Sequence, residues 1–194
     1  MVGRPLLVPA RRAGRVVRNV KASTIFANVV LFQAAWLTGV LGAASGRPWL
    51  GPLAALAVVA WHLARAKRAL PEALLLAAAL ALGAAFESLL VWGGWLRFET
   101  GQVAAAIAPA WMIALWAVFA TTLNVSLRLL HNRHVVAAAL GAVAAPLSYY
   151  AGSRLGAVEF VNVGTALLVI GAGWVVLMPV LVSLAARLDG YATP

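Results

Sequence analysis

The chain contains no cysteine and only five acidic residues. Without cysteine there is no disulfide, no thiolate metal site and no cysteine nucleophile, and compartment is not readable from redox chemistry. Charged residues of both signs make up 10% of the sequence, against about a quarter in a soluble domain. That scarcity excludes an ordinary water-facing surface. Also missing is any linker, low-complexity tract or charge block long enough to divide the chain into separate domains. What the chain has instead is apolar length: 64% of its 194 residues are hydrophobic and its mean hydropathy is +0.95.

Apolar stretches of about 20 residues recur, which is the length a helix needs to cross roughly 30 Å of hydrocarbon. Their unbroken Ala/Leu/Val runs lack the alternation of barrel strands, so the expectation is an all-α polytopic membrane protein. Six spans are expected, at about 24–44, 49–65, 71–92, 104–124, 135–151 and 163–185. The second and fifth are short and lean on interfacial Trp49, Tyr149 and Tyr150. Pro52, Pro71 and Pro109 fit first turns, whereas Pro146 and Pro179 fall inside spans. Residues 23–194 form one six-helix transmembrane domain. Residues 1–22 form a basic N-terminal segment, with a disordered tail and an interfacial helix both open. A signal-peptide reading of the first span is set aside, because the run from Thr24 to Ala44 is too long for a signal core and five spans follow.

Twelve of the fifteen basic residues fall in the N-terminal segment, the second and fourth connections and the tail, leaving Arg47, Arg97 and Arg154 for the alternate connections. By the positive-inside rule both termini face the cytoplasm. Juxtamembrane Arg and Lys beside anionic lipid, at about 1 kcal/mol each, account for the net charge of +10 without nucleic acid. Membrane lipids are the expected partners.

Polar residues within spans face the bundle interior with a partner. Glu87 shares a helix face with Leu80, Gly83, Ala84, Val91 and Gly94, among which the small residues admit a neighbouring helix. Its expected partner is a tyrosine hydroxyl, Tyr149 or Tyr150, or Arg154. Two roles stay open for it: an interhelical packing bond, or a site that binds a cation or proton or orients a substrate. Gln33, close to Trp36, either packs or lines a cavity. Asn28 shares a small-residue stripe with Ala35, Gly39, Gly42 and Gly46. Asn28, His62 and Asn124 all lie toward the cytoplasmic side, either as one inner polar cluster or by coincidence. His131 and His134 have a spacing that can put two imidazoles on one helical face, but with no carboxylate near them no metal site is expected. No dinucleotide loop, cofactor or nucleophile–base–acid set is recognisable. "NVS" at 124–126 falls on the wrong side for glycosylation, and the recurrence of "LGA" is too slight to define a repeat.

"ANVVLFQAAW", "GRPWLG", "PAWMIALWAVFATTLNVSLRLL" and "PLSYYAGSRLGAVEF", in that order, closely resemble a family of small bacterial inner-membrane proteins known only as a domain of unknown function. The resemblance covers roughly residues 26 to 186, and residues 1–22 look like an addition to the family core. The family usually has an aspartate where this chain has Glu87, so the acid is kept and its reach lengthened. Members sit beside genes for fatty-acyl modification and flavin-dependent oxidases, which implies a lipid-related role by association. Two readings follow. One is a membrane binding or accessory protein that holds a lipid or apolar ligand or docks a soluble lipid-modifying enzyme at its cytoplasmic face. The other is a small proton- or cation-coupled carrier using Glu87. A continuous polar path from Glu87 to the inner cluster would favour transport, and a lateral opening lined by Trp and Leu would favour lipid.

Overall fold

A computed structural model describes residues 20–192, so nearly all of the basic N-terminal segment lies outside the described residues. Six α-helices carry the fold: α1 Ala22–Ala44, α2 Leu50–Arg65, α3 Ala69–Trp92, α4 Ala110–Leu123, α5 His134–Arg154 and α6 Val163–Arg187. Four of them, α1, α3, α5 and α6, are long and apolar enough to cross a membrane. Large apolar side chains such as Phe26, Leu56, Trp92 and Leu168 point outward into the surroundings, as a surface facing acyl chains requires.

The helices fall into two groups. α1, α2 and α3 gather around α4, while α5 pairs closely with α6 and this pair touches α3 and α4 only lightly. Glycines set the close approaches. A Cβ on Gly51 would lie 2.8 Å from Trp111 Cβ and 3.3 Å from Gly39 Cα, and one on Gly141 would lie 2.7 Å from the Trp174 carbonyl oxygen. Only a residue without a side chain lets these backbones meet. At one end of the bundle, two-residue strands β1 (Leu96–Arg97) and β2 (Glu159–Phe160) pair antiparallel. At the other end meet the start of α1, the end of α6 and the connections after α2 and α4, through bonds from Asn28 to Thr121 and from Arg68 and Arg128 to Asp189.

Three expectations change. The fourth span is not 104–124: α4 has 14 residues, roughly 21 Å at the α-helical rise, and is the shortest of the six. Pro109, extended at ψ 147°, caps it, and Gly101 turns the preceding chain with φ +81°. Apolar composition made residues 104–109 look helical, but they form a loop tied down by Ala108 N–H on Ser88 Oγ. The fifth span is long rather than short, with 21 residues, because helix continues through Gly152 and Ser153. Arg154 therefore stands on α5 itself, with Tyr149 and Tyr150, and not beyond its end. The strand pair has no counterpart in the expected all-helical architecture.

Candidate functional site

Glu87 sits on α3 five residues before its end at Trp92, with no exposed surface. Gly83, one turn earlier, is the reason a neighbour can reach it. A Cβ there would fall 2.2 Å from Trp116 Cγ, so the missing side chain makes room for the indole of α4. Trp116 Nε1 donates to Glu87 Oε1 at 2.9 Å, and the Tyr149 hydroxyl from α5 donates to the same oxygen. Of the expected partners, the tyrosine at 149 is the one that bonds. Tyr150 points outward, 45% exposed, and Arg154 is exposed at the helix end. The aromatic set is extended by Trp174, stacked on Trp116 with centroids 5.0 Å apart, and by Phe86 and Phe119 set edge-on.

This cluster borders a cavity of about 680 Å³ in the seam between the two helix groups, within the roughly 300–1,000 Å³ typical of ligand sites. Its walls are overwhelmingly apolar and aromatic. Phe32 and Trp36 come from α1, Trp111, Met112, Leu115 and Trp116 from α4, and Trp174 from α6. Exposed Gln33 on α1 and exposed Leu140, Leu147 and Ser148 on α5 form its rim, so the mouth opens sideways between α1 and α5. Three buried polar atoms on the lining residues have no partner: Glu87 Oε2, Trp111 Nε1 and Trp174 Nε1. Trp174 lies beside the Tyr149 hydroxyl without completing a hydrogen bond to it.

A second polar assembly lies at the opposite end of α3, around Glu72, which is also fully buried. The separation of fifteen positions corresponds to roughly 22 Å of helix. His62 Nε2 lies 2.8 Å from Glu72 Oε2. Asn124 Nδ2 and the Gly190 N–H donate to Oε1 at 2.8 and 2.7 Å. Tyr191 closes the cluster by donating its hydroxyl to the His62 carbonyl at 2.8 Å. Burial and the nearby Glu72 push the Tyr191 phenol well above its ordinary pKa of 10.0, which keeps it a donor. Asp189, two residues earlier, is held by the guanidinium of Arg128 and accepts from the N–H groups of Tyr191 and Ala192. Arg68 clasps the same segment, bonding the Asp189 and Gly190 carbonyls.

Of the expected inner cluster, His62 and Asn124 meet through Glu72. Asn28 does not join them: its amide donates to Thr121 and accepts from Ser126 Oγ at 2.8 Å, bracing α1 against the end of α4. Sequence reasoning missed Glu72, Asp189, Tyr191 and Trp116. A signal for Glu72 existed, since "LPEAL" places an acid on an apolar helix one turn beyond the basic connection. His131 and His134 turn to different partners. His131 Nε2 lies 3.2 Å from the Leu123 carbonyl and His134 Nε2 lies 3.0 Å from Ser183 Oγ. Burial, then Arg128, hold the His131 imidazole below its usual pKa of 6.5. Among the described residues no three His, Asp or Glu side chains are placed to hold a metal.

A family model described as "Protein of unknown function (DUF2878)" matches residues 25–180. The chain belongs to that family. Both assemblies fall largely within the DUF2878 match, the exceptions being Asp189, Gly190, Tyr191 and Ala192 from the tail. No curated protein and no solved structure matches. A DUF2878 protein with these helices fits an integral membrane protein.

Proposed function

We propose that the protein is a membrane binding or accessory protein that takes an apolar-chain ligand from the bilayer through the opening between α1 and α5. The observation that carries this reading is the sideways mouth of the cavity, walled by Trp, Phe, Leu and Met, with buried Glu87 and Tyr149 among its few polar lining residues. A chain entering from the lipid exchanges one apolar surrounding for another, and aromatic packing then holds it. The carrier reading gains less support. Between Glu87 and Glu72, α3 buries Leu75, Leu76, Ala79 and Gly83, and α4 adds Ala117 and Ala120; the buried Thr121 and Thr122 hydroxyls of α4 donate back to its own Val118 and Phe119 carbonyls, so a mostly apolar layer lies between the two polar assemblies. In this reading the protein sits in the bacterial inner membrane with both termini in the cytoplasm. The basic connections around Arg65, Arg68, Arg128 and Arg133 then offer a cytoplasmic face to anionic lipid or to a soluble lipid-modifying enzyme.

Native mass spectrometry of gently extracted protein tests the proposal. A retained lipid-sized adduct is expected, and Ala144→Trp, which fills the mouth from α5, is expected to lower its occupancy severalfold. Identical retention by the two proteins would argue against this cavity.

A further inference from the structure

The three unsatisfied atoms of the cavity specify more than an apolar chain. We propose that its occupant ends in a hydroxyl group, which donates to Glu87 Oε2 and accepts from the indole N–H of Trp174; this rests on the lateral-cavity reading above. Glu87 Oε1 already accepts from Trp116 and Tyr149, so in the ionised carboxylate it is Oε2 that asks for a donor. Trp174 Nε1, and Trp111 Nε1 on the same cavity, ask for an acceptor, because indole only donates.

End groups can be sorted by what they carry. An ether or ester accepts only and leaves Oε2 alone. An ammonium donates only and leaves the indoles alone. A carboxylate has no proton to offer and brings a second negative charge to Glu87. A hydroxyl has one donor and two acceptor lone pairs and answers both needs at once. Leaving such groups unanswered in an apolar site is costly, so the hydroxyl is selected by what its absence would strand. Oε2 and the two indole nitrogens are fully buried, so an end group reaching them shifts the side chains around Glu87 and alters tryptophan emission. The hydroxyl can belong to a free long-chain alcohol or to the glycerol of a glyceride.

The test uses full-length protein in nanodiscs and quenching of tryptophan fluorescence by a dibromo long-chain alcohol, its methyl ether, the matched dibromo alkane and a dibromo diacylglycerol. The alcohol or the diacylglycerol is expected to quench saturably at about tenfold lower concentration than the ether, the scale of one lost buried hydrogen bond, and the stronger of the two identifies the source. In Glu87→Gln the amide nitrogen replaces the free acceptor with a donor, so the ether gains and the preference collapses. Trp174→Phe keeps a ring for the stack and is expected to weaken the alcohol several times more than the alkane; it serves as the second variant if Glu87→Gln folds poorly. Equal quenching by alcohol, ether and alkane would overturn the hydroxyl and leave the apolar site standing. Absence of saturable quenching by every probe would overturn both.

Discussion

Glu72 and Glu87 stand on one helix, equally buried, yet their surroundings differ in how fully each carboxyl is hydrogen-bonded. Glu72 has both oxygens engaged, by His62, Asn124 and Gly190, in a knot that pins the tail to the bundle. Glu87 has one oxygen engaged twice and the other free, beside a cavity. A saturated carboxylate is a fastener, whereas the idle oxygen of Glu87 is the one the proposed function puts to use. Removing the fastener leaves the buried groups that bond it unpaired, so Glu72→Ala is expected to lower stability by about 3 kcal/mol, the scale of stranding buried hydrogen-bonding groups. Glu72→Gln, which keeps the oxygen shared by Asn124 and Gly190, is expected to lose much less. Thermal unfolding of the purified variants in detergent checks this; equal melting of Glu72→Ala and the parent protein would show that the knot does not hold the fold.

At the scale of elements, the packing of α3 on α4 depends on one missing side chain. Gly83→Ala drives a methyl group into Trp116, and the indole has a second obligation in its bond to Glu87, so it cannot shift freely. A loss of about 1–3 kcal/mol is expected, typical of overpacking, together with a change in tryptophan emission as the bond breaks. Gly164→Ala is the control, since its added Cβ meets nothing nearer than Asn162 Oδ1 at 3.6 Å. If both variants melt alike, the α3–α4 contact is looser than the structure implies. The same helices show what hydropathy reveals and what it hides. Runs of apolar residues located all six helices, because burial in lipid acts on composition. They could not size α4, whose start is decided by Pro109 and Gly101, nor α5, which outruns its apolar core through Gly152 to Arg154. Glu87 was legible as a lone acid on a face with small residues. Trp116 as its partner was not, because a tryptophan among apolar residues reads as wall. The tail was not legible either, since the groups that hold Asp189, Gly190 and Tyr191 become visible only once α2, α3 and α4 converge.

For the whole molecule, charge and length meet in one question, whether every helix crosses. The end that gathers Lys21, Arg65, Lys67, Arg68, Arg128, Arg133 and Arg187 opposes an end with Arg47, Arg97 and Arg154 balanced to some extent by Glu99 and Glu159. That asymmetry is what the positive-inside rule reads. Yet α2 and α4 are only 16 and 14 residues long, roughly 24 and 21 Å against about 30 Å of hydrocarbon. α4 is enclosed by α1, α2 and α3, whereas α2 keeps Leu53 and Leu56 on the outer surface and residues 103–107 before α4 are exposed, so a full crossing by either helix is an expectation that labelling tests. Because the parent chain is cysteine-free, single cysteines at 97, 154, 67 and 133 can be labelled from either side of sealed vesicles without a background. Positions 97 and 154 are expected to react together from outside, and 67 and 133 together from the cytoplasmic side. If 97 and 133 reacted from one side, α4 would be a re-entrant element and the cavity seam would be reached from water; if both pairs reacted with sides exchanged, the basic face would lie outward and could not dock a cytoplasmic enzyme.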